Sequence, residues 1–169
     1  MPNLIPPVNV LDHIWGSSDA TIEVVEYGDF QCPYCQEAFF IVKKLWERFQ
    51  GQLRFVFRNF PMSETHEYAM DAALAAESAG RQHKFWEMYE ALFSRQADLN
   101  EELILKLAAD LTLDLRQFSE DMEDPRLLSR VEADFESGVR SGVNSTPAFY
   151  LNGNRYNGDF HVLATILEP

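Results

Sequence analysis

Two cysteines, Cys32 and Cys35, are the residues of this sequence whose types and spacing point most directly to chemistry. They stand in DFQCPYC, residues 29–35, separated by Pro33 and Tyr34, and the chain of 169 residues has no other cysteine. Two thiols at this spacing can bind a metal ion, close a structural disulfide or exchange electrons as a dithiol/disulfide couple. The rest of the sequence must decide among the three.

Metal binding and structural cross-linking both find little support. A tetrahedral zinc site would need two more ligands, and the four histidines of the chain show no short paired spacing. A disulfide across a two-residue gap removes little entropy from the unfolded chain and so stabilises little. A chain that is 46% hydrophobic can also bury a core without a staple. We therefore favour redox exchange and expect no metal ion and no cofactor.

The two cysteines lie at a predicted junction between a strand and a helix. Residues 21–27, TIEVVEY, are β-branched and aromatic on both faces, which is typical of a strand buried inside a sheet. From Pro33 onward apolar residues recur at helical spacing. Unpaired N–H groups and the dipole at the helix start favour the thiolate of Cys32, while Cys35 is expected to be more buried. Cys32 is thus the predicted nucleophile and Cys35 the thiol that resolves the mixed disulfide, with Tyr34 shaping the rim of the site.

The ends of the chain alternate between strand and helix. Residues 53–57, LRFVF, predict a second strand, and a strand–helix–strand unit of this length implies parallel pairing. After Thr146, PAFYLNGNRYNG predicts two short strands joined at Asn152-Gly153, a dipeptide that favours a tight hairpin. A final helix is expected from Phe160.

The middle of the chain has no strand signal and is predicted to be all-helical. Apolar stripes predict helices over about 65–80 and 83–96. Leucines at every fourth position after Asn100, a capping box at Asp114 and an Asp-Pro start at Asp124 predict three more helices. The expected buried stripe of the last of these helices consists of Leu128, Val131, Phe135 and Val139.

The charge balance excludes several classes of partner. Fourteen basic against 27 acidic residues give a net charge of −13, which repels nucleic acids and anionic membrane surfaces. No stretch approaches the roughly 20 apolar residues of a membrane span. The N-terminus MPNLIPPVNV lacks the basic and apolar regions of a secretory signal. We expect the chain as given to be cytoplasmic, or periplasmic if a signal sequence was removed.

Four separated motifs carry a resemblance to a known family. EYGDFQCPYC, RNFPMSETHEYAMDAALAAESAG, KFWEMYEALF and STPAFYLNG follow one another in the order seen in the DsbA-like branch of the thioredoxin superfamily, bacterial thiol:disulfide oxidoreductases that this chain resembles from about Asp12 onward. The resemblance implies an α/β thioredoxin fold, a central mixed sheet flanked by helices, with an inserted all-helical subdomain. The implied domains are an irregular lead-in over 1–20, a thioredoxin-like domain over 21–61 and 143–169, and the insertion over 62–142.

The resemblance also implies roles for particular residues. It makes Cys32 and Cys35 the redox couple, and it makes Pro147 a cis proline whose loop offers the Thr146 backbone to an extended substrate segment. Glu26 matches a position where the superfamily often has an acidic residue beneath the resolving cysteine. There it could shuttle a proton to and from Cys35.

Three polar residues near this site have alternative interpretations. Glu26 could instead pair with Arg58 or reach water at the end of the sheet, and Arg58 is otherwise expected to be a solvated strand residue. His66 matches a recurrent family histidine, for which we expect a role in helix capping or packing. Asp29 and Glu37 are expected to oppose thiolate formation through their like charge.

The predicted function is thiol–disulfide exchange with protein or peptide thiols and disulfides through a mixed disulfide, together with an unidentified recycling partner. Strongly oxidising periplasmic members carry Pro-His between the cysteines, whereas Pro33-Tyr34 resembles the glutaredoxin motif and adds glutathione as a possible partner class. The direction of electron flow stays open. The alternatives are a non-enzymatic docking or redox-sensing module, for example a partner of a membrane transporter, and a glutathione-linked reductase.

Overall fold

The computed structural model describes residues 3–167 and contains one mixed sheet of five strands in the order β1-β3-β2-β4-β5. β2 and β3 are parallel, and the other neighbouring pairs are antiparallel. The strands are β1 (His13–Trp15), β2 (Ile22–Gly28), β3 (Leu53–Asn59), β4 (Ala148–Leu151) and β5 (Asn154–Tyr156). The predicted α/β architecture, a mixed sheet flanked by helices, is confirmed.

Five of the seven α-helices of the described chain lie between β3 and β4 and form the helical insertion. The helices are α1 (Pro33–Arg48), α2 (Ala69–Arg81), α3 (Phe85–Ser94), α4 (Glu101–Asp110), α5 (Leu115–Met122), α6 (Pro125–Arg140) and α7 (Leu163–Ile166), with 3-10 turns at Gln96–Asp98 and Phe160–Val162. The side chains of Asn100, Asp114 and Asp124 each accept a backbone N–H at a helix start, as the sequence predicted for Asp114 and Asp124. Within residues 3–167, no helix combines the length and apolar character needed to cross a bilayer.

Both faces of β2 are buried, and each face belongs to a different part of the core. Val24 packs on the α1 side with Phe55 and Phe57, and α1 contributes buried side chains such as Phe39 to that cluster. Tyr27 belongs to a second cluster on the opposite side of the sheet. Because alternate residues of a strand point to opposite faces, Glu26 shares the α1 side with Val24.

The predicted irregular lead-in over residues 1–20 is wrong for His13–Trp15, which form β1 and pair with β3 at the edge of the sheet. Leu4, also in this range, is only 4% exposed and packs in the second cluster. Residues 1, 2, 168 and 169, which the predicted domain ranges include, lie outside the described residues.

The expectation that Arg58 is a solvated strand residue is also wrong. Its side chain is 2% exposed, and its guanidinium donates to both carboxylate oxygens of Asp12 at 2.8 and 2.9 Å. It donates further to the Pro6 carbonyl and the Tyr27 hydroxyl. The N-terminal segment covers Arg58 and supplies its acceptors, so this buried charge is paired and hydrogen-bonded.

The predicted buried stripe of α6 is wrong at two of its four positions. Leu128 is 38% exposed and Val139 is 56% exposed, whereas Leu127 and Gly138 are buried. The helix is rotated so that Gly138 faces the ring of Phe60, and a Cβ placed at Gly138 would lie 2.7 Å from Phe60 Cδ2. This close approach allows α6 to pack on the sheet. The helix predicted over about 65–80 begins later, at Ala69, and continues to Arg81.

We expect Gly138→Ala to lower the free energy of unfolding by about 1–3 kcal/mol, because its new methyl group would overlap the Phe60 and Tyr27 rings. Gly80→Ala is the matched control. Gly80 lies inside α2, and its nearest atom is His13 Cε1 at an ordinary 3.4 Å, so alanine should be neutral or should stabilise by up to about 1 kcal/mol. Urea denaturation of both variants measures the difference. Equal effects in the two variants would contradict the close packing of α6.

Candidate active site

Cys32 and Cys35 lie at the junction between β2 and α1, as the sequence predicted. Cys32 is the N-cap residue of α1, with extended backbone angles (φ −75°, ψ 123°), and Pro33 occupies the first turn, where its missing N–H costs no hydrogen bond. Both cysteines are free thiols. Cys32 is 5% exposed and Cys35 is fully buried, so Cys32 is the more accessible sulfur.

The environment of Cys32 favours its thiolate. A hydrogen bond from the Cys35 thiol is the largest cause that lowers the pKa of Cys32 to about 6, against the opposing effect of burial. The Thr146 side chain and the backbone N–H groups of Cys35 and Tyr34 lower it further. These donors include the helix-start N–H groups that the sequence predicted, but the neighbouring thiol contributes more.

Cys35 and Glu26 have the opposite character. Burial is the largest cause that raises the pKa of Cys35 well above its ordinary value, and its hydrogen bond to Cys32 and the charge of Glu26 add to it. Burial, followed by the charge of Cys32, raises the pKa of Glu26 to about 8. Both groups therefore favour their protonated forms near neutral pH.

Glu26 is fully buried, and neither of its carboxylate oxygens has a hydrogen-bond partner in the described residues. The alternatives in which Glu26 pairs with Arg58 or reaches water are both wrong. Glu26 lies opposite Phe57 in β3 and Phe149 in β4, on the α1 side of the sheet, whereas Arg58 binds Asp12. An isolated carboxyl group in such surroundings is costly to ionise, which explains its raised pKa.

Asp29 orders the loop that leads to Cys32, a role that the sequence did not reveal. Its buried carboxylate accepts hydrogen bonds from Gln31 N (2.7 Å), Met62 N (2.9 Å) and His66 Nδ1 (2.8 Å). Its carbonyl accepts from Cys32 N, and its own N–H donates to the sulfur of Cys35 at 3.5 Å. An Asp directly after a strand often accepts a hydrogen bond from the backbone N–H two residues later, which forms an Asx turn. This position was the signal in the sequence that could have indicated the role of Asp29.

These contacts show where three charged or polar residues near the site are bound, and they correct the expectation that His66 caps a helix. The carboxylate of Asp29 accepts from three donors, and the largest causes of the shift in the Cys32 pKa come from other groups than Asp29 and Glu37. Glu37 lies 3.1 Å from the ring of His161. His66 does not cap α2, which begins at Ala69, but binds Asp29 instead.

The helical insertion braces the same loop. Tyr68 N donates to the side chain of Gln31 at 2.7 Å. The side-chain amide of Gln96 donates to the carbonyl oxygens of Phe30 and Cys32, each at 2.8 Å. The segment from Phe30 to Cys32 is therefore fixed by residues that lie far along the chain.

The loop before β4 lies beside the accessible sulfur. Thr146-Pro147 is a cis peptide, and the Cys32 thiol lies 3.7 Å from the Thr146 carbonyl oxygen. β4 begins at Ala148, which pairs with Tyr27 at the end of β2. Tyr34 is 63% exposed next to the cysteines. Across residues 3–167, no cluster of three or more His, Cys, Asp or Glu side chains is arranged to hold a metal ion.

A family model described as thioredoxin matches residues 9–168. The chain belongs to this thioredoxin family. A thioredoxin-like oxidoreductase from Silicibacter pomeroyi DSS-3 is 28% identical, with a TM-score of 0.77 over 89% of this chain and 85% of that one. The thiol-disulfide exchange protein alpha-DsbA2 from Wolbachia pipientis is 18% identical and shares the fold, with a TM-score of 0.81 over 95% of this chain and 89% of that one. The predicted resemblance to the DsbA-like branch is confirmed.

Curated relatives of the chain include much longer proteins. The chain is 41% identical over 153 residues to "Na(+)/H(+) antiporter NhaA 1" of Salinispora arenicola, a match that covers 90% of the chain and 23% of the antiporter. The chain thus spans about a quarter of the length of such relatives.

We expect alkylation of the reduced protein by iodoacetamide to follow the thiolate of Cys32, with a midpoint near pH 6. In Cys35→Ala the midpoint should move to higher pH, because the largest cause of the lowered pKa is gone. Mass spectrometry of samples quenched across a pH series measures both midpoints. An unchanged midpoint in Cys35→Ala would show that the Cys35 thiol does not set the pKa of Cys32.

Glu26 should make stability fall as the pH rises. Its pKa is 4.5 as an ordinary side chain and about 8 in the folded protein, so the folded protein binds this proton more tightly than the unfolded chain does. The stability gained in this way is present below pH 4.5 and is lost as the pH rises to about 8. In Glu26→Gln the loss is absent, and the stability difference from the wild type should grow with pH by up to about 1.4 kcal/mol per unit.

Urea denaturation of the reduced proteins from pH 4.5 to 9 measures this difference. Glu102→Gln, at an exposed position, is the control, and its difference in the free energy of unfolding from the wild type should change little with pH. A constant difference between Glu26→Gln and the wild type would mean that Glu26 is ionised in the folded protein throughout this range.

Proposed function

We propose that the protein is a thiol–disulfide oxidoreductase that exchanges disulfides with protein or peptide substrates through Cys32 and Cys35. The observation that carries the proposal is the difference between the two sulfurs. Cys32 is the more accessible and has a pKa near 6, whereas Cys35 is buried and has a raised pKa. One sulfur is thus suited to attack a partner and the other to stay protonated until it is needed.

In the reductive direction, the Cys32 thiolate attacks one sulfur of a substrate disulfide. A sulfur–sulfur bond forms between Cys32 and the substrate, and the second substrate sulfur leaves as a thiolate that takes a proton from water. Cys35 then loses its proton and attacks the sulfur of Cys32, which releases the first substrate sulfur as a thiolate. The substrate gains two electrons and Cys32 and Cys35 form a disulfide; the reverse sequence oxidises a substrate dithiol.

Glu26 is suited to accept the proton that Cys35 loses. The negative charge of Cys32 is one of the two causes that raise the pKa of Glu26. Formation of the mixed disulfide removes this charge, so Glu26 ionises more readily at the step when Cys35 needs a base. The same Glu26 can return the proton to Cys35 when the pair is reduced again.

The loop at Thr146 and Pro147 is suited to hold an extended substrate. The carbonyl of Thr146 lies beside the Cys32 thiol, and a peptide that pairs with this backbone as an added strand would bring its own sulfur to Cys32. Glutathione, a small peptide thiol, is a further partner of this kind, and a separate recycling partner would restore the starting redox state.

Two single substitutions test the mechanism. Cys32→Ser should abolish thiol-dependent reduction of a model protein disulfide, whereas Cys35→Ser keeps the nucleophile and should accumulate a mixed disulfide with the substrate. Non-reducing mass spectrometry detects this adduct. Turnover by Cys32→Ser, or a mixed disulfide formed through Cys35 in that variant, would show that Cys32 is not the nucleophile.

The antiporter relatives favour a second candidate, a redox-sensing docking module of a membrane transporter. In such a module the dithiol would switch state without turning over substrates. Multiple turnovers of a protein disulfide, with a reductant that acts slowly on the substrate alone, support the enzyme. A single oxidation per molecule with no turnover supports the sensor.

A further inference from the structure

An apolar groove with an acidic rim lies between α6 and the segment that follows β3. Its volume is about 370 Å³, within the range of protein sites that bind small ligands. Met62, Met70 and Phe135 line it. Methionine side chains adapt to different apolar shapes, so this lining can accept more than one kind of large apolar side chain.

The groove lies at the same edge of the sheet as the reactive sulfur. β2 and β3 are parallel and end together at the pair Gly28 and Asn59, so the segments that follow them, one carrying Cys32 and the other Met62, leave from one edge. The carboxylate of Asp29 joins these segments, since it accepts from both Gln31 N and Met62 N.

One residue that lines the groove, Phe135, packs against the cluster that flanks the loop holding Thr146. Phe135 stacks on Phe60 with ring centroids 4.2 Å apart. Phe60 belongs to the cluster that includes Val143 and Ala148, the residues on either side of that loop. The groove and the loop that holds Thr146 are therefore joined through one packed cluster.

The rim of the groove is negatively charged. Glu64, Glu132 and Glu136 line it, they are exposed, and no Lys, Arg or His is among the lining residues. Among residues 3–167 none of these three carboxylates forms an ion pair. An apolar floor with unpaired carboxylates around it complements an apolar side chain flanked by cations.

We propose that this groove binds the segment of a protein substrate next to its reactive cysteine, and that it selects segments with a large apolar residue flanked by lysine or arginine. This inference rests on the proposed disulfide exchange and adds the substrate class. The carboxylates speed encounter and hold the flanking cations, and the apolar floor fixes the register of the segment against Cys32.

The test uses peptide disulfides of one length whose cysteine is followed by leucine between two lysines, two glutamines or two glutamates. For the wild type we expect kcat/KM to fall in that order, and to fall again when serine replaces leucine in the lysine peptide. Glu132→Lys/Glu136→Lys should lower kcat/KM for the lysine peptide about tenfold and raise it for the glutamate peptide. The effect should shrink in high salt.

The matched control is Glu102→Lys/Glu123→Lys, which makes the same change in net charge at exposed positions outside the groove. We expect it to change kcat/KM by less than about twofold. Similar losses in the two double variants would show that net charge causes the preference and would contradict binding in the groove. Equal rates for all peptides in the wild type would also contradict the proposal, because the protein would then have no preference.

A small neutral disulfide, 2-hydroxyethyl disulfide, separates this inference from the proposed function. Its reduction should be unchanged in both double variants. If the wild type turns it over but does not distinguish the peptides, the groove assignment fails and the exchange activity stands. If the wild type turns over no disulfide at all, the proposed function fails. A wild-type dimer in light scattering that Glu132→Lys/Glu136→Lys abolishes would assign the groove to a second copy of the chain instead.

Discussion

The negative charge on Cys32 is the feature on which the site depends, and it is stabilised by donors in direct contact with the sulfur. The thiol of Cys35 and the N–H groups at the start of α1 come from one helix, while the side chain of Thr146 comes from the loop before β4. The sheet order puts β4 beside β2, so the loop and the helix start meet at one end of the sheet. The thiolate is thus stabilised in a chain whose net charge is −13, because short-range donors outweigh distant, solvent-screened charges.

Two buried ionic groups hold the surroundings of this sulfur in place. Asp29 links the end of β2, the segment after β3 and His66, while its backbone contacts both Cys32 and Cys35. On the other side of the sheet Arg58 ties the N-terminal segment to β3 through Asp12. Each buried charge has several hydrogen-bond partners, which is the condition under which burial of a charge is tolerated.

Glu26 is the exception, and its isolation fits the proton transfer that we propose for it. It is enclosed between Phe57 and Phe149 in the sheet, and neither carboxylate oxygen has a partner in the described structure. A structural carboxylate would be expected to have donors, as Asp29 has. A carboxyl group whose pKa lies near 8 and responds to the charge of Cys32 can instead exchange a proton close to neutral pH.

Local patterns in the sequence predicted much of the fold and the two sulfurs. The strand before the cysteines, the helix start at Pro33, the caps at Asp114 and Asp124 and the hairpin at Asn152 follow from short-range rules and agree with the structure.

What the sequence did not reveal depends on contacts between distant segments. The burial of Arg58 requires Asp12 and the Pro6 carbonyl, which no periodicity around β3 indicates. The rotation of α6 depends on the fit of Gly138 against Phe60, about which the hydrophobic spacing of the helix carries no information. The hydrogen bonds of Asp29 were not foreseen because two of its donors, Met62 N and His66, lie more than thirty positions along the chain.

The equilibrium reduction potential of the Cys32/Cys35 pair at pH 7, measured in glutathione redox buffers, tests the central claim most directly. A stabilised thiolate stabilises the reduced form, because the disulfide carries no charge. In thioredoxin the nucleophilic cysteine has a pKa of about 7 and the reduction potential is near −270 mV. In DsbA the pKa of this cysteine is about 3.5 and the reduction potential is near −120 mV. With a pKa of about 6 for Cys32, we expect a value between these two. A potential at or below that of thioredoxin would contradict the stabilisation of the thiolate by its neighbours.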